Sequence, residues 1–261
     1  MAWQVLILSL AAFWPVLFWQ SARVSDGSDE PWGVLALLTV LAIVWWRGKP
    51  QMPSRGQLAL ATLCLLIYAA VFPYLPPLVR ALIAIITTAL LISAWCGSRF
   101  MNFALLGLLV LSLPLIASLQ FYLGYPLRLV TASIAASIIT LLGFPTEAAG
   151  ISLNWFGETV VVDAPCAGIK MLWSGLYLNF TLALARGLGF VLTWVAYSLS
   201  LVFIFFGNVL RNILLFFTES GIVKAPEWSH WAIGLFTMTI VAGSIIALHE
   251  YISKRRAEYA A

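Results

Sequence analysis

Apolar runs of membrane-spanning length recur along this chain with only short polar gaps between them. A transmembrane helix needs about 20 predominantly apolar residues, and inside hydrocarbon every backbone N–H and C=O must be satisfied by protein, so such runs fold as helices. The candidates are 3–20, 32–46, 57–76, 78–96, 102–122, 167–185, 188–210 and 230–249, with 126–143 an ambiguous further segment. Composition agrees, because 62% of residues are hydrophobic and 9% charged, against roughly a quarter charged in a soluble domain. A soluble fold could not cover that much apolar surface. The expected fold class is an all-α membrane protein with about eight transmembrane helices in one polytopic domain, residues 1–261, and no separate soluble module. The first run, Trp3 to Trp19, lacks a basic leader and a small-residue cleavage site, so it is expected to stay as a membrane helix rather than leave as a signal peptide.

Basic residues set orientation. Arg47, Lys49 and Arg55, then Arg99, Arg186 and the tail Lys254, Arg255, Arg256 are expected on the cytoplasmic side, and the acidic loop with Asp26, Asp29 and Glu30 outside. This alternation survives to the C-terminus only if 126–143 does not cross. Its Thr131, Ser133, Ser137 and Thr140 among small apolar residues fit an interfacial or re-entrant helix. The stretch 144–166 then faces outward. Ile151, Leu153 and Trp155 alternate with Ser152 and Asn154, Gly157 offers a turn and 159–162 is rich in β-branched residues, which predicts a small extracytoplasmic β-hairpin. A helix from about 187 to 217 would be about 46 Å long, so a bend near Gly207-Asn208 or a protruding end is expected.

Three polar positions fall on the outer side in this topology. Cys166, in Asp163-Ala164-Pro165-Cys166-Ala167-Gly168, follows the hairpin and opens a helix, where free amides and the helix dipole would favour a thiolate nucleophile. Arg211 sits in an apolar helix at a cost of about 3 kcal/mol or more, which calls for compensation, and its guanidinium suits an oxyanion or carboxylate. Asn208 and Asn212 lie one helical turn apart and flank it. His230 opens the last helix, and histidine is the side chain suited to trade protons with a thiol or a leaving amine near neutral pH. Asp163 is a candidate to orient His230 or pair with Arg211, or else a local turn group. Lys170 and His249 are expected to snorkel or sit at an interface. Cys64 and Cys96 fall mid-membrane and near the cytoplasmic face, so the three cysteines offer no disulfide framework.

Taken together, Cys166, Arg211 and His230, in that order and each at an outer membrane boundary, resemble the exosortase/archaeosortase family of membrane-embedded cysteine transpeptidases. The resemblance runs from the hairpin to Trp231-Ala232-Ile233-Gly234 and makes about 126–249 the catalytic half. Pro165-Cys166-Ala167-Gly168 keeps the cysteine and glycine of the family's Ala-Cys-Ser-Gly pattern but lacks its serine, and Lys170 stands where an arginine is common. The resemblance implies cleavage of C-terminal sorting signals of membrane-anchored protein substrates on the outer side of the cell membrane. Cys166 would attack the scissile carbonyl, Arg211 stabilise the oxyanion and His230 protonate the leaving amine, with water or an acceptor amine resolving the thioester.

Two alternatives stand beside it: a transporter or channel component with Arg211 and the asparagines on its path, and a non-catalytic envelope assembly factor. The net charge of +4 needs no nucleic-acid partner, because Lys and Arg sit in short loops and the tail against the lipid bilayer. Neither a metal-ligand cluster nor a phosphate-binding glycine loop is apparent, so no cofactor is expected. The topology predicts that a cysteine placed at Glu158 reacts with an impermeant thiol reagent in intact cells. Reaction only after the inner face is opened would contradict it.

Overall fold

The computed structural model describes residues 2–25, 32–47, 49, 51–98, 100–226 and 228–258. Asp26, Asp29, Glu30 and Arg99, on which part of the expected orientation rests, lie outside the described residues. The chain divides into two compact units, Met1–Leu115 with Phe180–Val195, and Ile116–Asn179 with Ala196–Ala261.

In the first unit, α1 (Ala2–Ala12) and α2 (Trp14–Ser25) meet at a bend of 65°. Pro15 explains it, since proline lacks an N–H and its ring presses on the carbonyl four residues back. The run 3–20 is therefore a broken helix. Next come α3 (Trp32–Arg47) and α4 (Arg55–Val71), the latter started by a capping box in which Ser54 and Gln57 exchange side-chain and backbone hydrogen bonds. A 3-10 turn, Phe72–Tyr74, leads to α5 (Pro77–Ser93) and α6 (Phe103–Leu111). Buried Gln57 also donates to the Phe100 carbonyl at 2.6 Å, tying the start of α4 to the loop before α6. The expected crossing 102–122 is not one helix. It stops at Leu111 and restarts at Ile116, around Pro114.

The second unit opens with α7 (Ile116–Leu141), which runs through Pro126 without a break. The segment 126–143, expected as a separate interfacial or re-entrant helix, is instead mostly the latter part of α7. Its hydroxyls do not require water, because Ser133 and Ser137 donate back to the carbonyls of Leu129 and Ser133. After α7 come β1 (Glu147–Ala149), β2 (Ser152–Trp155) and β3 (Glu158–Val161), an antiparallel sheet in that order. The β2–β3 hairpin is the one expected. Trp155 pairs with Glu158 across a two-residue turn in which Phe156 and Gly157 both have positive φ, 45° and 90°, the backbone that matches strand twist. The third strand, β1, was not apparent in the sequence. Leu153, Val160 and Val162 bury their side chains among Ala132, Ala135 and Ile139 of α7 and Val209, Ile213 and Phe216 further along the chain, in a core that also takes in Cys166. Alanines on α7 leave room for the sheet to lie close.

A 3-10 turn, Ala164–Ala167, follows β3, and then α8 (Ile169–Ala185), α9 (Phe190–Glu219) and α10 (Ser229–Glu258). Helix α9 has 30 residues, about 45 Å at 1.5 Å each. It shows no break at Gly207-Asn208, so of the two expectations, a bend or a protruding end, the protruding end is left. Gly207 serves packing, because a Cβ there would strike Val241 of α10. His249 is not interfacial as expected. It is 0% exposed, with Nε2 3.0 Å from Asn179 Oδ1, which also accepts from Ser200 Oγ at 3.2 Å.

Among the described residues, four helices are long and apolar enough to cross a membrane: α4 with its 3-10 extension, α7, α9 and α10. The bent pair α1–α2 makes a fifth if counted as one span. The remaining helices fall short of that length, so the eight expected spans are not reached by this criterion. Large apolar side chains such as Leu8, Phe18, Leu63, Val191 and Phe236 stand exposed along these helices, as lipid-facing surfaces require.

The Gly207–Val241 contact predicts that Gly207→Ala destabilises by about 1–3 kcal/mol, the usual cost of overpacking. Gly243→Ala, where a Cβ meets nothing within 4 Å, should be neutral or gain about 0.5–1 kcal/mol of helix propensity. Apparent melting temperatures of the two variants in one detergent check the contrast.

Candidate active site

The turn carrying Cys166 is held from two sides. Its N–H donates to the Asp163 carbonyl at 2.9 Å, closing the 3-10 turn. Its carbonyl accepts from Asn208 Nδ2 and from Asn212 Nδ2, both at 3.2 Å. Asn212 Nδ2 also donates to the Asn208 carbonyl at 2.9 Å, and Asn208 Nδ2 lies 3.5 Å from Thr131 Oγ1 of α7. Gln120, one turn into α7, donates to the Ala164 carbonyl at 3.1 Å. Both asparagines and Cys166 are 4% exposed, and a buried carbonyl outside a helix needs such donors.

Gly168 completes the turn. Its φ of +85° is open to few residues but glycine, and a Cβ there would sit 2.7 Å from Asn208 Cγ. The glycine two residues after the cysteine is thus fixed by backbone geometry and by the asparagine it faces. Because Gly168 separates the turn from α8, Cys166 does not open the α-helix as expected but lies three residues ahead of it.

Arg211 stands one helical turn from Asn208 on α9, at a spacing of three residues, and directly precedes Asn212. Its Nε is buried without a hydrogen-bond partner among the described residues, and Gly234 of α10 lies against the guanidinium, with room for a Cβ only 3.7 Å from Cζ and Nε. His230 opens α10 and places Nδ1 3.1 Å from Glu219 Oε1, the last residue of α9, both side chains a little under half exposed. The loop between α9 and α10 brings these helix ends together. Among the described residues no hydrogen bond joins His230 to the Cys166 thiol.

Sequence reasoning missed Glu219 and offered Asp163 in its place. Asp163 is exposed and contributes its backbone carbonyl, while no hydrogen bond or ion pair of its carboxylate reaches His230 or Arg211. The available signal was a carboxylate closing one apolar helix and a histidine opening the next after a short loop. Cys64 and Cys96 lie in the other unit, and neither forms a disulfide. Among the described residues no group of three His, Cys, Asp or Glu is disposed to hold a metal.

The family model described as transmembrane exosortase (Exosortase_EpsH) matches residues 4–247. The chain belongs to the transmembrane exosortase family. No curated protein and no solved structure matches it. The match takes in both units and includes Cys166, Arg211 and His230, and with the apolar helices it makes this exosortase a multi-pass membrane protein.

The electrostatics of the cysteine differ from expectation. Burial pushes the Cys166 thiol above its ordinary pKa. The Arg211 charge pulls it back down, and the Glu219 and Asp163 carboxylates add to the rise. The shift runs opposite to the lowering expected of a helix N-terminus, and Arg211 is the cation that opposes burial. Only the thiolate reacts with iodoacetamide, so alkylation of Cys166 should keep rising at pH values where an ordinary thiol has levelled off. Arg211→Gln removes the opposing charge and should shift that profile to higher pH. Glu219→Gln should shift it to lower pH. Profiles measured by mass spectrometry of the Cys166 peptide check both directions.

Proposed function

We propose that this exosortase is a cysteine transpeptidase or protease, embedded as one polytopic domain in the cell membrane, that cleaves C-terminal sorting signals of exported proteins on the extracytoplasmic side. Its catalytic half is about 126–249, with the hairpin and the α9–α10 loop facing outward and the tail after His249 inside. The full count of crossings is eight in this proposal: the bent pair α1–α2, then α3, α4, α5, α7, α8, α9 and α10.

The observation that carries the chemistry is the unpartnered, buried Arg211 Nε on the helix face that grips Cys166. In many acyl-transfer enzymes backbone N–H groups receive the developing oxyanion. Here the Cys166 N–H is committed to the Asp163 carbonyl, so the donor falls to a side chain. Arg211 offers a permanently charged planar fork, and its Nε–H has no other duty.

In the first step Cys166 Sγ forms a bond to the scissile carbonyl carbon while the thiol proton passes to His230. Glu219 holds Nδ1–H of that ring, leaving Nε2 to take and give the proton. Arg211 neutralises the tetrahedral oxyanion. Collapse breaks the C–N bond, and the departing amine takes the proton from His230, leaving a thioester on Cys166. Attack by water or an acceptor amine then releases the product and the thiol. A substrate already lodged in the bilayer by its own helix meets the site at high effective concentration.

Processing of an exported substrate in membranes tests this directly. Cys166→Ala should abolish it. Arg211→Lys should fold and insert yet process at least about tenfold more slowly, because a flexible ammonium does not reproduce the fork and each 1.4 kcal/mol lost from the transition state costs tenfold. If Arg211 only anchored to headgroups, lysine would snorkel as well and processing would be unchanged.

A further inference from the structure

The turn of the β2–β3 hairpin carries a residue that water does not favour there. Two-residue turns with positive φ at both places prefer Asn-Gly, and here the pair is Phe156-Gly157, with φ of 45° and 90°. Phe156 is the only residue other than glycine with positive φ among the described residues. A bulky side chain meets a steric cost in that conformation. Phe156 is also 83% exposed, so neither its backbone nor packing within the protein accounts for an aromatic ring at this place.

The surroundings of the turn point to what covers it. Trp155 sets its ring edge-on to Phe156 at 5.3 Å and lies 6.3 Å from the ring of Phe144, which in turn stands 5.0 Å from Phe217. Phe144 follows the end of α7 by three residues, and Phe217 comes two residues before the end of α9. Both helices are long and apolar enough to cross a membrane. This chain of rings therefore ties the hairpin turn to the level at which two membrane helices end. At that level Leu141 and Leu142 are 85% and 58% exposed, as side chains that face lipid are. The lipid-facing surface at the end of α7 thus continues into the turn through the half-buried rings of Phe144 and Trp155.

We infer that the hairpin turn is a membrane anchor: Phe156 inserts into the leaflet at its own face of the bilayer, extends the lipid contact of α7 and pins the sheet to the membrane surface. Burial of the ring among acyl chains offsets the strain of the turn. The partner is the boundary between headgroups and acyl chains of ordinary phospholipid, because the turn 155–158 offers aromatic rings and no basic residue. Glu158, exposed and one residue past the turn, stays in water and limits the insertion to a single side chain. At the other end of the hairpin the Val162 N–H donates to the Ile151 carbonyl at 2.9 Å. The chain then enters the turn that holds Cys166, so a pinned sheet also fixes the height of that turn over the bilayer, whatever chemistry Cys166 performs.

The test places the full-length protein in phosphatidylcholine nanodiscs that hold one copy and no substrate, which leaves lipid as the available cover. With Cys64 and Cys96 replaced by serine and Cys166 by alanine, a spin label on Phe156→Cys should collide preferentially with oxygen dissolved in lipid. The same label on Thr159→Cys, exposed on the other face of the sheet, should collide preferentially with a water-soluble nickel chelate. A second measurement leaves the cysteines in place. Phe156→Asn creates the turn that water favours but has no ring to insert, so amide hydrogen exchange across 152–161 should become at least about tenfold faster in nanodiscs, the lower end of what burial of one phenylalanine supplies. Phe156→Trp should keep the wild-type protection. Water-like accessibility at position 156, equal to that at 159, would overturn the anchor even if a second copy or a substrate covered the turn in other conditions. Exchange that is unchanged or slower in Phe156→Asn, the result expected of a turn that simply sits in water, would overturn it as well.

Discussion

A carbonyl that is buried outside a helix must find donors within the protein, and the Cys166 carbonyl finds two, the carboxamides of Asn208 and Asn212. Each such bond is worth about 1 kcal/mol net, but an unmet acceptor here would cost more. The larger consequence is geometric. Asn208, Arg211 and Asn212 stand at i, i+3 and i+4 on α9, so the face that grips the cysteine backbone is also the face that presents the guanidinium. Gly168 makes the grip possible, since a side chain there would displace Asn208. The Cys166 backbone and the guanidinium are thereby set in register by one helix.

The surroundings set a conflict that the charges moderate. The Cys166 thiol is packed among Ala132, Val209 and Ile213, and the same burial raises its pKa. Arg211 opposes the effect of burial and, in the proposed reaction, receives the negative charge that appears on the substrate. Its cost of insertion into an apolar helix becomes intelligible on those terms. Glu219 acts in the opposite sense on the thiol while orienting the histidine that would accept its proton.

Much of this was legible in the sequence, and the exceptions have physical causes. Alternation at 151–155 and Gly157 predict the hairpin because a period of two and a positive-φ turn are local properties. Cys166, Arg211 and His230 stand out because polar groups in apolar runs are expensive and must be explained. Pairings across the fold were not legible. Glu219 lies 11 positions before His230, and only the closure of the α9–α10 loop brings them to 3.1 Å. Asp163, nearer to Cys166 in sequence, contributes a backbone carbonyl instead. The polar run in α7 looked unsuited to a continuous membrane helix, but serine hydroxyls bond to the preceding turn. Helices break near Pro15 and Pro114, whereas Pro126 lies within α7, a difference the sequence does not announce. His249 looked interfacial from its place near the basic tail and is buried against Asn179.

The claim on which all of this depends is that Cys166 carries an acyl group during turnover. Membranes containing the wild-type protein and an exported substrate would be acid-quenched during turnover and digested, and the Cys166 peptide analysed by mass spectrometry before and after neutral hydroxylamine. The account predicts an adduct that carries the substrate peptide immediately N-terminal to the cleaved bond, joined through its new C-terminal carbonyl, confined to Cys166 and released by hydroxylamine. Processing without any adduct on Cys166, or an adduct on another residue, would contradict it.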